Sequence, residues 1–170
     1  DKGFHLLLDA IQALHPDDRQ QIRLEVATLP FPGERGYYNE MYERFVHLGY
    51  RQWHTRVPPE EVRQLMQEND LLVLPSTRNE AAPLVILEAY SQKMPVLGSN
   101  YIAIKDMIED RQTGSLFSNG HPEELYKRLV EILKQPQLLP QWSANITPVR
   151  DSADIGRDME AIYKAVLSGG

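Results

Sequence analysis

A doubly wound α/β domain, with a mainly parallel sheet and helices on both faces in the Rossmann-like manner, is the fold this sequence predicts. Two near-continuous apolar runs, Leu71-Leu72-Val73-Leu74-Pro75 and Pro95-Val96-Leu97-Gly98, have the form of strands buried on both faces. A helical segment lies between them. Strand-like and helix-like segments alternate along the chain with short connections, as parallel strands joined by right-handed crossovers require.

The elements follow in order. Leu7, Leu8, Ile11 and Leu14 stand at helical spacing over Phe4 to Leu14, and Pro16 ends that run. Ile22 to Thr28 reads as a strand, and Pro30-Phe31-Pro32-Gly33 demands a loop after it. A helix from about Tyr38 to Leu48 leads to a polar strand over Arg51 to Val57. Pro58-Pro59-Glu60-Glu61 then opens a helix through Met66, with prolines and acids suited to its first turn. After the two apolar runs, Gly114 to Ser118 supplies another strand, Pro122 to Lys134 a helix, and Ala153 to Leu167 a last amphipathic helix. Gln135 to Asp151, rich in proline, reads as a loop crossing the surface.

A chain of 170 residues, 42% of them hydrophobic, suffices for one domain with a buried core, here spanning residues 1–170. Its net charge of −6, with no basic run, argues against nucleic acid as a partner. No apolar stretch approaches the roughly 20 residues that span a bilayer. The absence of cysteine excludes disulfides and thiolate chemistry and fits a reducing compartment, so a cytoplasmic location is expected.

The stretch from Leu74 to Ala89 carries the chemistry. It reads as a strand, a polar loop containing Ser76 and Glu80, and a helix whose first residue is Pro83. The amides of Leu84 and Val85, at the positive end of that helix, suit a phosphate. Glu88 is the one charge on a helix otherwise apolar on nearly every face, so it is expected to be paired, hydrogen-bonded or turned to a cleft. A ligand on the helix N-terminus would meet Glu80 on one side and Glu88 on the other, and hydroxyls donating to two carboxylates suit a ribose and a hexose flanking a diphosphate. From spacing alone, an exposed loop glutamate and a salt-bridged helix glutamate are the more ordinary reading, because glutamates eight residues apart are common.

This string, Glu80-Ala81-Ala82-Pro83-Leu84-Val85-Ile86-Leu87-Glu88, resembles the Glu-x7-Glu motif of the family 4 retaining glycosyltransferases, enzymes of two Rossmann-like domains (the GT-B fold). The resemblance covers nearly the whole chain. Lys2-Gly3 before a Leu-Leu-Asp-Ala helix, Asn69 to Ser76, Pro95 to Ser99, Thr113 to Phe117 and Glu123-Glu124-Leu125 fall in family order. It implies that Glu88 binds the ribose hydroxyls, Glu80 the donor sugar, and that Lys2 neutralises the diphosphate leaving group. It also implies that the chain is the donor-binding, C-terminal half of such an enzyme, whose partner is an N-terminal acceptor-binding domain. The family's phosphate-binding arginine precedes its Lys-Gly at the end of a strand, and this chain has neither. A central strand is therefore expected to be missing between the strands at Ile22 and Leu71, leaving a slot that preceding residues or another chain must fill.

The chain departs from the family pattern where Tyr101-Ile102-Ala103 stands in place of a glycine pair, where Lys93-Met94 replaces a small residue, and where Pro83 replaces a glycine. Trp53, His54 and Arg56 border the place of the nucleobase, and a ring or guanidinium plane there could stack on it. His5, His15, His47, His54 and His121 show no metal-ligand spacing, and Lys2 already offsets the diphosphate, so neither a metal nor a cofactor is expected. Two functions remain open: a glycosyltransferase fragment taking a UDP-, GDP- or ADP-sugar for retaining transfer, inactive by itself, and a non-catalytic nucleotide-sugar-binding module serving a separate acceptor subunit.

Overall fold

The structure is a computed structural model that describes residues 2–29, 32–79, 82–149 and 152–167. Its first helix, α1 (Phe4–Gln12), begins after Gly3 and buries Leu7, Leu8, Ala10 and Ile11 on one face. Pro16 ends this helical run and also opens α2 (Pro16–Gln20), because its missing N–H costs nothing at a first helical position. His15 caps α2 by accepting from the Asp17 amide at 3.4 Å.

The remaining elements are β1 (Glu25–Thr28), a 3₁₀ turn (Pro32–Glu34), α3 (Arg35–His47), β2 (Gln52–Thr55), α4 (Pro59–Glu68), β3 (Leu72–Leu74), α5 (Leu84–Ser91), β4 (Val96–Ser99), α6 (Ile102–Lys105), β5 (Gly114–Phe117), α7 (Pro122–Lys134), α8 (Leu138–Asn145) and α9 (Ser152–Leu167). From β1 to α7 strands and helices alternate as the sequence predicts, with α2 and α6 added to the predicted helices and α8 and α9 following α7 without a strand between. The strand expected from Ile22 starts at Glu25, and the strand expected over Arg51 to Val57 is confined to Gln52–Thr55. The stretch from Gln135 to Asp151 is not a plain loop. It contains α8, whose Trp142 is buried in the main core, so apolar burial overrides the turn-like composition.

All pairings are parallel: β1 with β2 (Val26 opposite Trp53), β3 with β4 (Val73 opposite Leu97) and β4 with β5 (Leu97 opposite Ser115). Successive β4 side chains face opposite sides. Leu97 joins one core with Leu7, Ile11, Phe45, Phe117, Leu125 and Trp142, while Val96 joins a second with Met66, Leu74, Ile86, Ala89 and Ile104. Both residues are fully buried, as a central strand of a doubly wound sheet demands.

Among the described residues the strands form two sheets, β1-β2 and β3-β4-β5, and no pairing joins β1 to β3. Between their facing edges lies a cleft of about 960 Å³, walled by Leu24, Val26 and Thr28 on one side and by Leu71, Val73 and Leu74 on the other. Phe4, Leu7 and Ile11 of α1 also line it. This is the position where the missing strand is expected. No described helix is long and apolar enough to cross a membrane.

Candidate functional site

The carboxyl ends of β1, β3, β4 and β5 share one edge of the molecule, and in an open parallel sheet that edge is where loops converge on a ligand. Gly3 adopts a left-handed conformation (φ 66°) that only glycine takes without strain. Its backbone presses on the end of β3, so close that a Cβ would lie 1.8 Å from the Pro75 carbonyl oxygen and 3.1 Å from Thr77 Cγ2. The exposed Lys2, next to Gly3, lines the cleft together with Thr28, Leu29 and Pro75.

Ser76 follows β3 and is buried. Thr77 is half-buried, while Arg78 and Asn79 are exposed. Glu80 and Ala81 lie outside the described residues. Pro83 is buried and is the N-cap of α5 rather than its first helical residue, because its ψ of 88° is not helical; its carbonyl accepts from the Ile86 amide at 3.0 Å. Leu84 is 65% exposed and Val85 half-buried in the first turn.

The N-terminus of α5 differs from those of α2, α4 and α7. Each of those three carries two acids in its first turn, and in the case of α7 the Glu124 carboxylate reaches back to the Ser118 amide at 2.8 Å. That hydrogen bond holds Glu124 below the usual carboxylate range. The first turn of α5, like those of α1, α3 and α8, holds no acid, and no described side chain caps it. The Leu84 and Val85 amides precede its first intrahelical hydrogen bond, at the positive end of the helix dipole.

Leu84, Leu87, Glu88 and Ser91 follow one another at i, i+3, i+4 and i+7, and all four are exposed. The helix is therefore not buried all round, contrary to the expectation from its composition, because one of its faces has no neighbour among the described residues. Glu88 lies on this open face, one turn beyond Leu84. Its side chain is exposed there and does not line the cleft, so the expected turn toward a cleft is not seen among the described residues.

The expectation that Trp53 stacks on a base does not survive. The rings of Phe4, Tyr38, Tyr42 and Phe45 surround it with centroids 5.1 to 5.5 Å away, and its Nε1 donates to the Tyr38 hydroxyl at 2.8 Å. An aromatic cluster of this kind is core packing. His54 lies 3.6 Å from Glu25, which also pairs with Arg23 at 3.4 Å. Arg56, exposed and in the left-handed region at φ 55°, donates its amide to the Thr28 carbonyl at 3.2 Å and stands at the same edge as Lys2. No group of three or more metal-ligating side chains occurs among the described residues.

The edge also holds residues to which the sequence reading assigned no role. Tyr101 donates its hydroxyl to the Thr77 carbonyl at 2.6 Å, and Asn100 accepts from the Asn119 amide at 3.1 Å. Their one sequence signal was the departure from a glycine pair at Tyr101-Ile102-Ala103.

Residues 1–147 match the family model of glycosyl transferases group 1. The amylovoran biosynthesis glycosyltransferase AmsK of Erwinia amylovora is 29% identical over 97 residues, covering 54% of this chain and 22% of its own length. Anabaena HepE, solved in complex with UDP, superposes with a TM-score of 0.77 at 22% identity, over 96% of this chain and 45% of that one. Sucrose-phosphate synthase of Thermosynechococcus elongatus gives 0.78 at 18% identity, over 99% and 43%. At these identities the two solved structures speak for the fold alone. The chain spans less than half the length of each relative.

Proposed function

Since the chain belongs to the glycosyl transferases of group 1, we propose that it is the donor-binding, C-terminal half of a two-domain retaining glycosyltransferase and takes a nucleoside-diphosphate sugar at its carboxyl edge. The observation that carries this reading is the acid-free N-terminus of α5, whose Val85 lines the same cleft as Lys2, with Glu88 exposed one turn farther along the helix. The diphosphate sits on the amides of Leu84 and Val85, over the fold's open sheet edge, with Ser76 beneath the loop.

In this arrangement Lys2 supplies the cationic charge that the departing diphosphate needs, and the α5 amides add fixed dipoles. Both act most strongly as negative charge builds on the leaving group, which is how such groups lower a barrier. Glu88 accepts from the ribose hydroxyls, Glu80 from the donor sugar, and Arg56 borders the base. No metal or other cofactor enters this scheme. The acceptor is held by a second domain across the open face of α5, so the chain by itself binds donor without transferring sugar. Cytoplasmic nucleotide sugars are its substrates.

HepE was solved with UDP, which makes uridine donors the first to try. Calorimetric titration of the chain with UDP-glucose, GDP-mannose and ADP-glucose tests the reading. Saturable binding of one of them supports it, and no heat from any, with a folded protein, contradicts it.

A further inference from the structure

Thr77 is a meeting point of three loops at the carboxyl edge. It lies in the β3–α5 segment, its Cγ2 faces the Gly3 backbone of the turn into α1, and its carbonyl receives the Tyr101 hydroxyl at 2.6 Å across 24 positions of chain. Tyr101, half-buried, is the residue before α6. The loop that carries it is braced from behind, because the Asn100 amide donates to the Phe117 carbonyl at 2.9 Å and the Asn100 side chain accepts from the Asn119 amide at 3.1 Å. Tyr101 therefore reaches from a braced loop to Thr77, in a stretch from Pro75 to Asn79 without regular structure.

The geometry points to Tyr101 as a positioning residue of the donor site: its hydroxyl ties the β3–α5 loop down and thereby sets the place of the α5 N-terminus relative to Lys2. This inference rests on the reading of the edge as a nucleotide-sugar site. A binding constellation loses affinity when its supporting groups shift by a fraction of an ångström. The Tyr101 ring is packed against the second core, and its hydroxyl adds a hydrogen bond between two loops. Removal of the hydroxyl alone leaves the ring in place and deletes that tie.

The molecule contains a matched control. Tyr90, also half-buried, shares a 2.7 Å hydrogen bond with the Thr113 hydroxyl, at the other end of α5 and at the amino end of β5. Tyr90→Phe deletes the same chemical group at similar burial, away from the carboxyl edge.

The test compares the 170-residue chain with Tyr101→Phe, Tyr90→Phe and Glu88→Ala, by titration with the same three nucleotide sugars and by hydrogen exchange of the segment from Ser76 to Asn79. Tyr101→Phe is expected to weaken binding about five-fold and to speed exchange in that segment, while Tyr90→Phe lowers the melting temperature comparably and changes neither. Binding by Tyr101→Phe equal to that of Tyr90→Phe, with Glu88→Ala still weakened, overturns the role of Tyr101 and leaves the site intact. If the unaltered chain binds none of the three sugars, the donor reading falls. Exchange then decides whether Tyr101 anchors the loop: acceleration confined to Tyr101→Phe upholds the anchor, and unchanged exchange overturns it.

Discussion

The backbone of Gly3 lies against the carbonyl of Pro75, so that a Cβ at residue 3 would stand 1.8 Å from that oxygen. Gly3→Ala must therefore both strain a left-handed backbone, at about 1–2 kcal/mol, and force apart two packed segments, at about 1–3 kcal/mol. A loss of roughly 2–5 kcal/mol in urea unfolding is expected. Lys2→Ala, one residue earlier and exposed, is expected to leave stability within about 0.5 kcal/mol while weakening nucleotide binding. Equal stability for the Gly3 variant would contradict the contact.

The open edges of β1 and β3 bound a cleft of about 960 Å³. Strands in globular proteins commonly run about 5–6 residues, so a strand of about six residues suits the span between these edges. The 170-residue chain is expected to self-associate through these edges as its concentration rises. A six-residue β-branched extension joined ahead of residue 1 should make it monomeric and raise its melting temperature by several degrees. Sedimentation and thermal melts check this; a chain that is monomeric throughout and indifferent to the extension would show that the cleft does not take a strand.

The strands β3 and β4 are legible in the sequence because Leu71 to Leu74 and Val96 to Leu97 are apolar without interruption; β4 is buried on both faces as expected, whereas Leu72 and Val73 of β3 are half-buried beside the cleft. The helix α8 is not legible. Pro136 and Pro140 read as turn signals, yet Pro140 falls in the first turn of the helix, where its missing N–H costs little, and the burial of Trp142 decides the outcome. The exposed face of α5 is equally hidden, since Leu84 and Leu87 look like core residues and no local pattern reveals which side of a helix lacks a neighbour. The loop proposed to take the donor is readable as a motif through the order of its residues, with Glu80 and Ala81 lying outside the described residues. Tyr101 is not, because its bond to Thr77 depends on two strands lying side by side.

Arg111 donates to Glu131 at 2.6 Å, tying the turn before β5 to α7, and this hydrogen bond holds the Glu131 carboxyl below its usual range. A carboxylate with a lowered folded-state pKa stabilises the fold above its unfolded pKa, and the benefit disappears as pH falls through the folded value. Both side chains are partly exposed, so Glu131→Gln should cost only about 0.2–1 kcal/mol at pH 7 and nothing in strong acid. Urea melts across pH check it; a cost independent of pH would contradict the ion pair.

Glu80 is assigned to the sugar alone. Glu80→Ala is expected to weaken binding of a nucleotide sugar by about 1.5–3 kcal/mol and to leave the matching nucleoside diphosphate unaffected. Parallel titrations with UDP-glucose and UDP check this for a uridine donor, and an equal loss for both ligands would remove Glu80 from the sugar.

The donor reading stands most directly on Glu88, exposed on the open face of α5 one turn past the amides assigned to the diphosphate. Asp17, an exposed acid on α2, serves as the control. The deciding measurement is calorimetric titration of the unaltered chain, Glu88→Ala and Asp17→Ala with the nucleotide sugar that binds. The account predicts that Glu88→Ala loses roughly 1.5–3 kcal/mol of binding free energy and that Asp17→Ala loses none. Equal affinities for all three proteins would contradict it.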